Sequence, residues 1–464
     1  MQADTLIRDI DWLITVDDDR RVITDAALAI VDGHFAAVGK SADIVTRWQS
    51  THTLSGRNRV ATPGFVDAHL HASFQLARGL ADEVSPRVFL FEHMFPFEGV
   101  LGEDDVELSS MLAAMSLLRC GVTCFIDPGN YFPQATAKAA QSAGIRAVLG
   151  RSAFDRTQAV LGLLPETMIE STEQALERTV ALLEFVAAQD DPRLSANVSF
   201  RGLSNSSDAL ITGCKDIADK HGCMLQTHAC FNYSTRDDCI AGFGVPEIER
   251  LDALGVLDER MLLAHGGWLE PHEVATIVKR GASIVAAPSS SLHNGYGNLR
   301  QGVLPELVAL GVNVGIGSDH ACSGITDIVQ EMLLFAGVQK EVHANPRVVP
   351  PEHVIEMATR NGAACAGLAE RIGSIEVGKE ADVVLFDTDR HEWQPLHNPV
   401  SNLVYSATGD SVSDVFVAGS HVVDQGRLTS FDERELLERV RASTRHLGSR
   451  LDLEKLINTR WPVI

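Results

Sequence analysis

His69 and His71 stand two residues apart in the segment HLH, His228 falls in QTHA, His265 closes LLAH, and Asp319 sits in GSDH. Each of these five side chains ends a short apolar run, as a residue at the tip of a buried strand does. Along an extended strand, side chains two apart point the same way, so His69 and His71 can reach one point. A lone histidine at a strand end is more often structural than a ligand, and HLH by itself carries little. Five such residues at matching strand ends, in order, are a strong signal: three imidazoles and a carboxylate meeting there, with a place left for water, suit zinc or a comparable divalent ion. Cys230 and Cys322 stand close by, but cysteine is commonly a small buried hydrophobe. His320 follows Asp319 directly, and on a strand it points the other way.

The elements that must position these residues show in the texture of the chain. From Arg59, brief apolar segments alternate with longer stretches of helical period, the mark of β/α units and a parallel sheet. Eight strand segments can be read: RVATPGFVDAHLH, GVTCFIDPG, IRAVLGRSA, LSANVSFRG, CMLQTHA, RMLLAHGG, ASIVAAPSS and VNVGIGSDH. Eight over about 260 residues match an α/β chain of (β/α)8 type, whose strand ends converge on one catalytic cup. Before Arg59, DTLIRDIDWLITVD, AALAIVDGHFAAVG and THTLSG are strand-like, separated by Asp/Gly turns. After about Gly373, GSIEVGKEADVVLFD and SVSDVFVAGSHVVDQGR return to that texture. The expected organisation is one small β-sandwich domain built from residues 1–58 and 373–430, a barrel over 59–372, and a closing helix and tail over 431–464.

Bulk properties narrow the function. The 464 residues are 45% hydrophobic, enough for one large domain and a smaller one, and the net charge is −23. Such a surface repels nucleic acid and anionic membrane, so a small-molecule substrate is expected instead. No apolar run is long enough to span a bilayer, and the N-terminus lacks a basic and apolar leader. Eight cysteines without paired spacing fit reduced thiols and a cytoplasmic location. Phosphate-loop and dinucleotide fingerprints are absent.

With PGFVDAHLH, QTHA, LLAHGG, GSDHA and the late GSIEVGKEADVVLFD in place, the sequence resembles the amidohydrolase superfamily over nearly its whole length. The nearest branch is that of triazine hydrolases, chlorohydrolases and cyclic-amidine deaminases. The resemblance implies His69, His71, His228 and Asp319 as ligands of one divalent ion, most naturally Zn2+, with Fe2+, Mn2+ or Co2+ as alternatives. It implies that His265 hydrogen-bonds the attacking water or the polarised substrate oxygen, and that Asp319 also accepts the water's proton. Binuclear members draw a carboxylated lysine from the fourth strand. LSANVSFRG has none, so a single-metal site is expected. A homo-oligomer is expected by the same analogy.

Deaminases of this branch carry a glutamate three positions after the fifth-strand histidine, where it protonates a ring nitrogen. Here that position is Phe231, followed by Asn232 and Tyr233. Attack on a cyclic amidine leaves a ring nitrogen in need of a proton, and a phenyl ring has none to offer. Attack on the carbonyl of a urea, carbamate or amide does without it, because metal and His265 can hold the oxyanion. In this the chain is similar to phenylurea and thiocarbamate hydrolases. The expected reaction is therefore hydrolysis of an acyclic carbonyl C–N or C–S bond bearing an apolar or aromatic substituent. The alternative is an aminohydrolase or chlorohydrolase on a triazine, purine or pyrimidine, its acid arriving from elsewhere. A catalytically silent barrel is a third reading, and the complete ligand set argues against it. Candidate substrate contacts are Phe231, Tyr233, Arg201, His293 and Asn130; for Arg201, a salt bridge to a loop carboxylate is the equal alternative.

Overall fold

The segment RVATPGFVDAHLH divides at Gly64 into strands Arg59–Pro63 and Phe65–Asp67, which serve different sheets. A Cβ at Gly64 would lie 2.1 Å from Thr123 Oγ1, so only glycine lets the chain cross there. The computed structural model describes residues 1–155, 158–159, 162–322, 324–457 and 461. Residues 458–460 and 462–464 of the expected tail lie outside the described residues.

From Phe65 onward, parallel strands follow one another: Phe65–Asp67, Val122–Asn130, Arg146–Arg151, Leu194–Ala196 with Val198–Gly202, Leu225–Ala229, Met261–His265, Ser283–Ala286 and Val314–Ile316. The fourth segment is interrupted at Asn197: its first half pairs with the third strand, its second half with the fifth. Leu70 pairs in parallel with Asp319, which closes the ring between first and last strands. Most strand residues are buried, as expected where helices cover a parallel sheet. Ser207 caps the helix Asp208–His221, and Gly222 ends it at φ +65°.

Strands from both chain ends form one nine-stranded sheet, running from Arg427–Leu428 through Val383–Asp387 and Arg59–Pro63 to Thr5–Ile14 and His34–Lys40. Asp32 and Gly33, both at positive φ, turn Val22–Val31 back onto His34–Lys40, the backbone that a two-residue hairpin favours. The tail helix Glu433–Arg450 is capped by Asp432 and tied to Glu103–Arg119 by Arg119–Glu433 and Arg450–Asp105 ion pairs. Among the described residues no helix is long and apolar enough to cross a membrane.

Candidate active site

The first and last barrel strands stop short of the histidines, yet their pairing continues past the strand ends. Asp319 N donates to His69 O at 2.8 Å and His71 N to Asp319 O at 2.6 Å. Asp67 reinforces the junction, accepting from the backbone N–H groups of His69 and Ser318. Burial pushes its carboxyl up to about 6. Asp319 and His265 occupy the left-handed region at φ +64° and +79°, conformations that cost energy in non-glycine residues and persist where surrounding contacts enforce them.

This framework brings four ligand-type side chains together. His71 Nε2 and His228 Nε2 are 3.1 Å apart, and Asp319 Oδ1 lies 3.4 Å from His69 Nε2 and 3.6 Å from His71 Nε2. His228 Nδ1 donates to Arg201 O at 2.7 Å, which leaves the Nε2 lone pair facing the cluster. Asp319 Oδ2 accepts from Ser290 Oγ at 2.7 Å, whereas Oδ1 and His69 Nε2 are buried without a hydrogen-bond partner. Buried polar atoms left facing one another in this way are costly unless something binds between them. Burial, and then Arg201, pushes His71 well below the usual imidazole range; burial, then His69 and His265, does the same to His228. Burial would raise Asp319, but His320, His69 and His265 outweigh it and hold the carboxyl well below its usual range. Imidazoles around a carboxylate are a donor set suited to a divalent cation. His265 joins the group with its ring 5.5 Å from that of His69, and burial takes it down to about 3.

The cluster lies at one end of an apolar pocket lined by Phe74, Phe91, Phe95, Phe154, Phe231 and Tyr296 among others. Of the expected substrate contacts, Phe231 lines it, its ring 5.7 Å from His265. Arg201 lines it too, but its guanidinium pairs with buried Glu98 at 3.0 and 3.2 Å and donates to Ser152 Oγ. The other three are placed elsewhere. Asn130 is buried beneath the strand end, donating to Asp127 and Thr136. Tyr233 begins the helix after the fifth strand, 59% exposed and packed on Trp268. His293 reaches outward to Asp82 at 2.9 Å. Loop residues can point to either side of a strand end, and sequence position does not say which.

His320 departs from its strand reading, and Glu247 enters unannounced. His320 lines the pocket instead of pointing away, because the left-handed turn at Asp319 breaks strand alternation; its Nε2 is 3.5 Å from Asp319 Oδ2. Glu247, from GVPEIER, also lines the pocket beside Thr235 and Phe231. Its only local signal is an acid in a first helical turn, which is ordinary on any surface helix.

A model described as the amidohydrolase family matches residues 60–422. The chain belongs to that family. This amidohydrolase is 32% identical over 432 residues to a 5-methylthioadenosine/S-adenosylhomocysteine deaminase of Syntrophobacter fumaroxidans, covering 92% of this chain and 95% of the relative. An adenosine deaminase from Xanthomonas campestris with bound zinc superposes with a TM-score of 0.90 at 29% identity, over 97% of this chain and 99% of that one. Atrazine chlorohydrolase from Arthrobacter aurescens TC1, complexed with zinc, gives 0.83 at 23% identity, over 96% and 99%, a likeness of fold alone. The amidohydrolase is thus a hydrolase of carbon–nitrogen bonds other than peptide bonds.

These relatives overturn the expectation of a urea, carbamate or amide hydrolase. The first two are named deaminases and match over nearly the full length, and they favour the heterocycle alternative. The kinship with phenylurea and thiocarbamate hydrolases rested on a missing acid at position 231. An absence at one position says nothing about a carboxylate that arrives from another segment, as Glu247 does.

Proposed function

We propose that this amidohydrolase is a metal-dependent aminohydrolase, replacing the exocyclic amino group of a purine-type heterocycle with oxygen. The observation that carries it is the convergence of His69, His71, His228 and Asp319 beside an aromatic pocket, in a chain alike to deaminases over nearly its full length. Those four residues would hold one divalent ion, zinc by the donor set and by the bound zinc of the similar adenosine deaminase. When bound, the ion polarises water and brings its pKa toward neutrality. Asp319, a buried carboxylate steadied by Ser290, takes the proton from the attacking water and delivers it to the departing ammonia. His265, neutral through the physiological range, is placed to hydrogen-bond the oxygen that adds to the ring.

The lining refines the substrate. Phenylalanine faces suit stacking against a purine and an apolar substituent. Among the described lining residues Arg201 is the one arginine or lysine, and Glu98 neutralises it, so the carboxylate of an amino-acid tail finds no free guanidinium there. A neutral thioether nucleoside such as 5-methylthioadenosine should therefore be preferred over S-adenosylhomocysteine. The same reading starts the catalytic barrel at Phe65 rather than at the expected residue 59, because Arg59–Pro63 pairs with strands of both chain ends, and keeps it to 372, with 1–63 and 373–430 as one small β-sandwich unit.

The test is ammonia release by zinc-loaded enzyme from adenosine, 5-methylthioadenosine, S-adenosylhomocysteine, guanine and an aminotriazine. Turnover of the neutral adenine nucleosides is the expected result. Absence of ammonia from the whole panel overturns the reading.

A further inference from the structure

Deamination of a cyclic amidine demands more protons than Asp319 alone can manage. As water adds to the carbon, the ring nitrogen gains electron density and must be protonated in the same stage. His265 is already assigned to the oxygen that adds to the ring, Arg201 is held by Glu98, and Phe231 is a hydrocarbon. Another group in the same pocket has to act.

Glu247 has the required placement. It opens the helix Glu247–Ala253, is 4% exposed, and lines the pocket that also contains His265, Phe231 and Asp319. Its Oε2 accepts from Cys230 N at 3.0 Å and from Thr235 Oγ1 at 3.1 Å, so the carboxyl is fixed against the backbone just before Phe231. The cations nearby are engaged elsewhere: Arg236 with Glu273, and Arg250 with Asp208 and the carbonyls of Leu203 and Ser206. Among the described residues, Glu247 takes part in no ion pair. A buried carboxyl with hydrogen-bond donors on one oxygen and no counter-ion is suited to carrying a proton.

Resting on the deaminase reading, we propose that Glu247 is the general acid of this enzyme, protonating the ring nitrogen of the heterocycle from a different segment than the fifth-strand loop. Water loses a proton to Asp319 as its oxygen bonds to the ring carbon, and Glu247 transfers its proton to the ring nitrogen. The carbon–nitrogen bond to the amino group then breaks, and ammonia leaves with the proton from Asp319. The new hydroxyl releases its proton to solvent as the carbonyl forms, and Glu247 takes one back from solvent. Amino heterocycle and water become the oxo heterocycle and ammonia, with no other reactant.

The electrostatics agree. Burial pushes Glu247 up to about 7; the N–H of Cys230, Thr235 and the Cys230 thiol work against it, and the Glu273 charge with it. An acid that must be protonated in the free enzyme gives a rate that declines above that pH.

The experiment uses the zinc-loaded full chain and the variants E247Q, E247A, H320Q and E247Q/F231E. E247Q keeps a carbonyl oxygen to accept from Cys230 and Thr235, so a purely structural role would leave it near wild type. The expected result is a fall in kcat/KM of about 10²–10⁴-fold for E247Q, with KM and zinc content unchanged and the alkaline limb near pH 7 gone. E247Q/F231E, which returns a carboxyl to the pocket, should recover a large part of the loss. The infrared difference between wild type and E247Q should also contain a protonated-carboxyl band at pH 6 that is bleached at pH 9, a readout independent of turnover. Ammonia release by E247Q within twofold of wild type, loss of the alkaline limb in H320Q only, or absence of the carboxyl band would each overturn the assignment and leave the deaminase reading standing. Absence of ammonia from wild type with every heterocycle would instead sink the deaminase reading, and Glu247's role with it.

Discussion

Nε2 of His71 and Nε2 of His228 face each other at 3.1 Å, and Nδ1 of His228 is tied to the carbonyl of Arg201. With its other nitrogen donating, His228 presents a lone pair to the cluster, and a shared cation reconciles the two rings. Wild-type protein should therefore carry about one zinc per chain, and His228→Ala or His71→Ala less than about a tenth of that, by elemental analysis. Chelation should lower the wild-type Tm, and added zinc should restore it, since a ligand bound only by the folded state stabilises it. Full metal content in both variants would count against the proposed ligand set.

His265→Asn should separate binding from chemistry. The ring is buried, neutral and adjacent to the cluster but outside the proposed four ligands. Zinc content should stay at the wild-type level while kcat falls by about 10²–10³-fold, the range for removing one preorganised donor. Loss of zinc in this variant would make His265 a ligand.

The Arg201–Glu98 pair crosses the pocket wall with both side chains almost fully buried. Breaking it by Glu98→Ala leaves a buried guanidinium unpaired, and denaturant unfolding should show a loss of about 3–5 kcal/mol. The double replacement Glu98→Leu/Arg201→Met should be more stable than the single one, because two apolar side chains leave no charge behind. If Glu98→Ala unfolds like wild type, Arg201 has another partner.

Asn130, Tyr233 and His293 lie off the pocket lining, so alanine at each should leave KM within about twofold of wild type. Asn130→Ala should still cost about 1–2 kcal/mol of stability, because Asp127 and Thr136 lose a buried partner. A tenfold rise in KM at any of the three would place it against substrate after all.

Glu331, beneath the seventh-strand loop, accepts from the backbone and hydroxyl of Ser289, and burial pushes its carboxyl up to about 8. Between its ordinary value of 4.5 and about 8, the folded protein keeps a proton that the unfolded chain releases. Stability from this group is therefore lost as pH rises through that window. Glu331→Gln should flatten the decline between pH 5 and pH 8 by on the order of 2 kcal/mol, measured by urea unfolding at several pH values. An unchanged slope would mean that Glu331 is ionised throughout.

The strand-end positions of His69, His71, His228, His265 and Asp319 were legible because barrel geometry is periodic. An apolar run ending in a polar residue implies a cup, whatever the rest of the chain does. The strand textures at both termini were legible for the same reason, since alternation is a local property. What local pattern could not reveal were contacts between segments far apart: Glu98 reaching Arg201 across 103 residues, and Glu247 arriving beside Cys230 from a later helix. Nor could it reveal the left-handed turn at Asp319, which redirects His320 into the pocket. Periodicity specifies which way a side chain points along its own strand. Which charges are neutralised, and which acid is left to carry a proton, is decided only when distant segments are packed together and water is excluded.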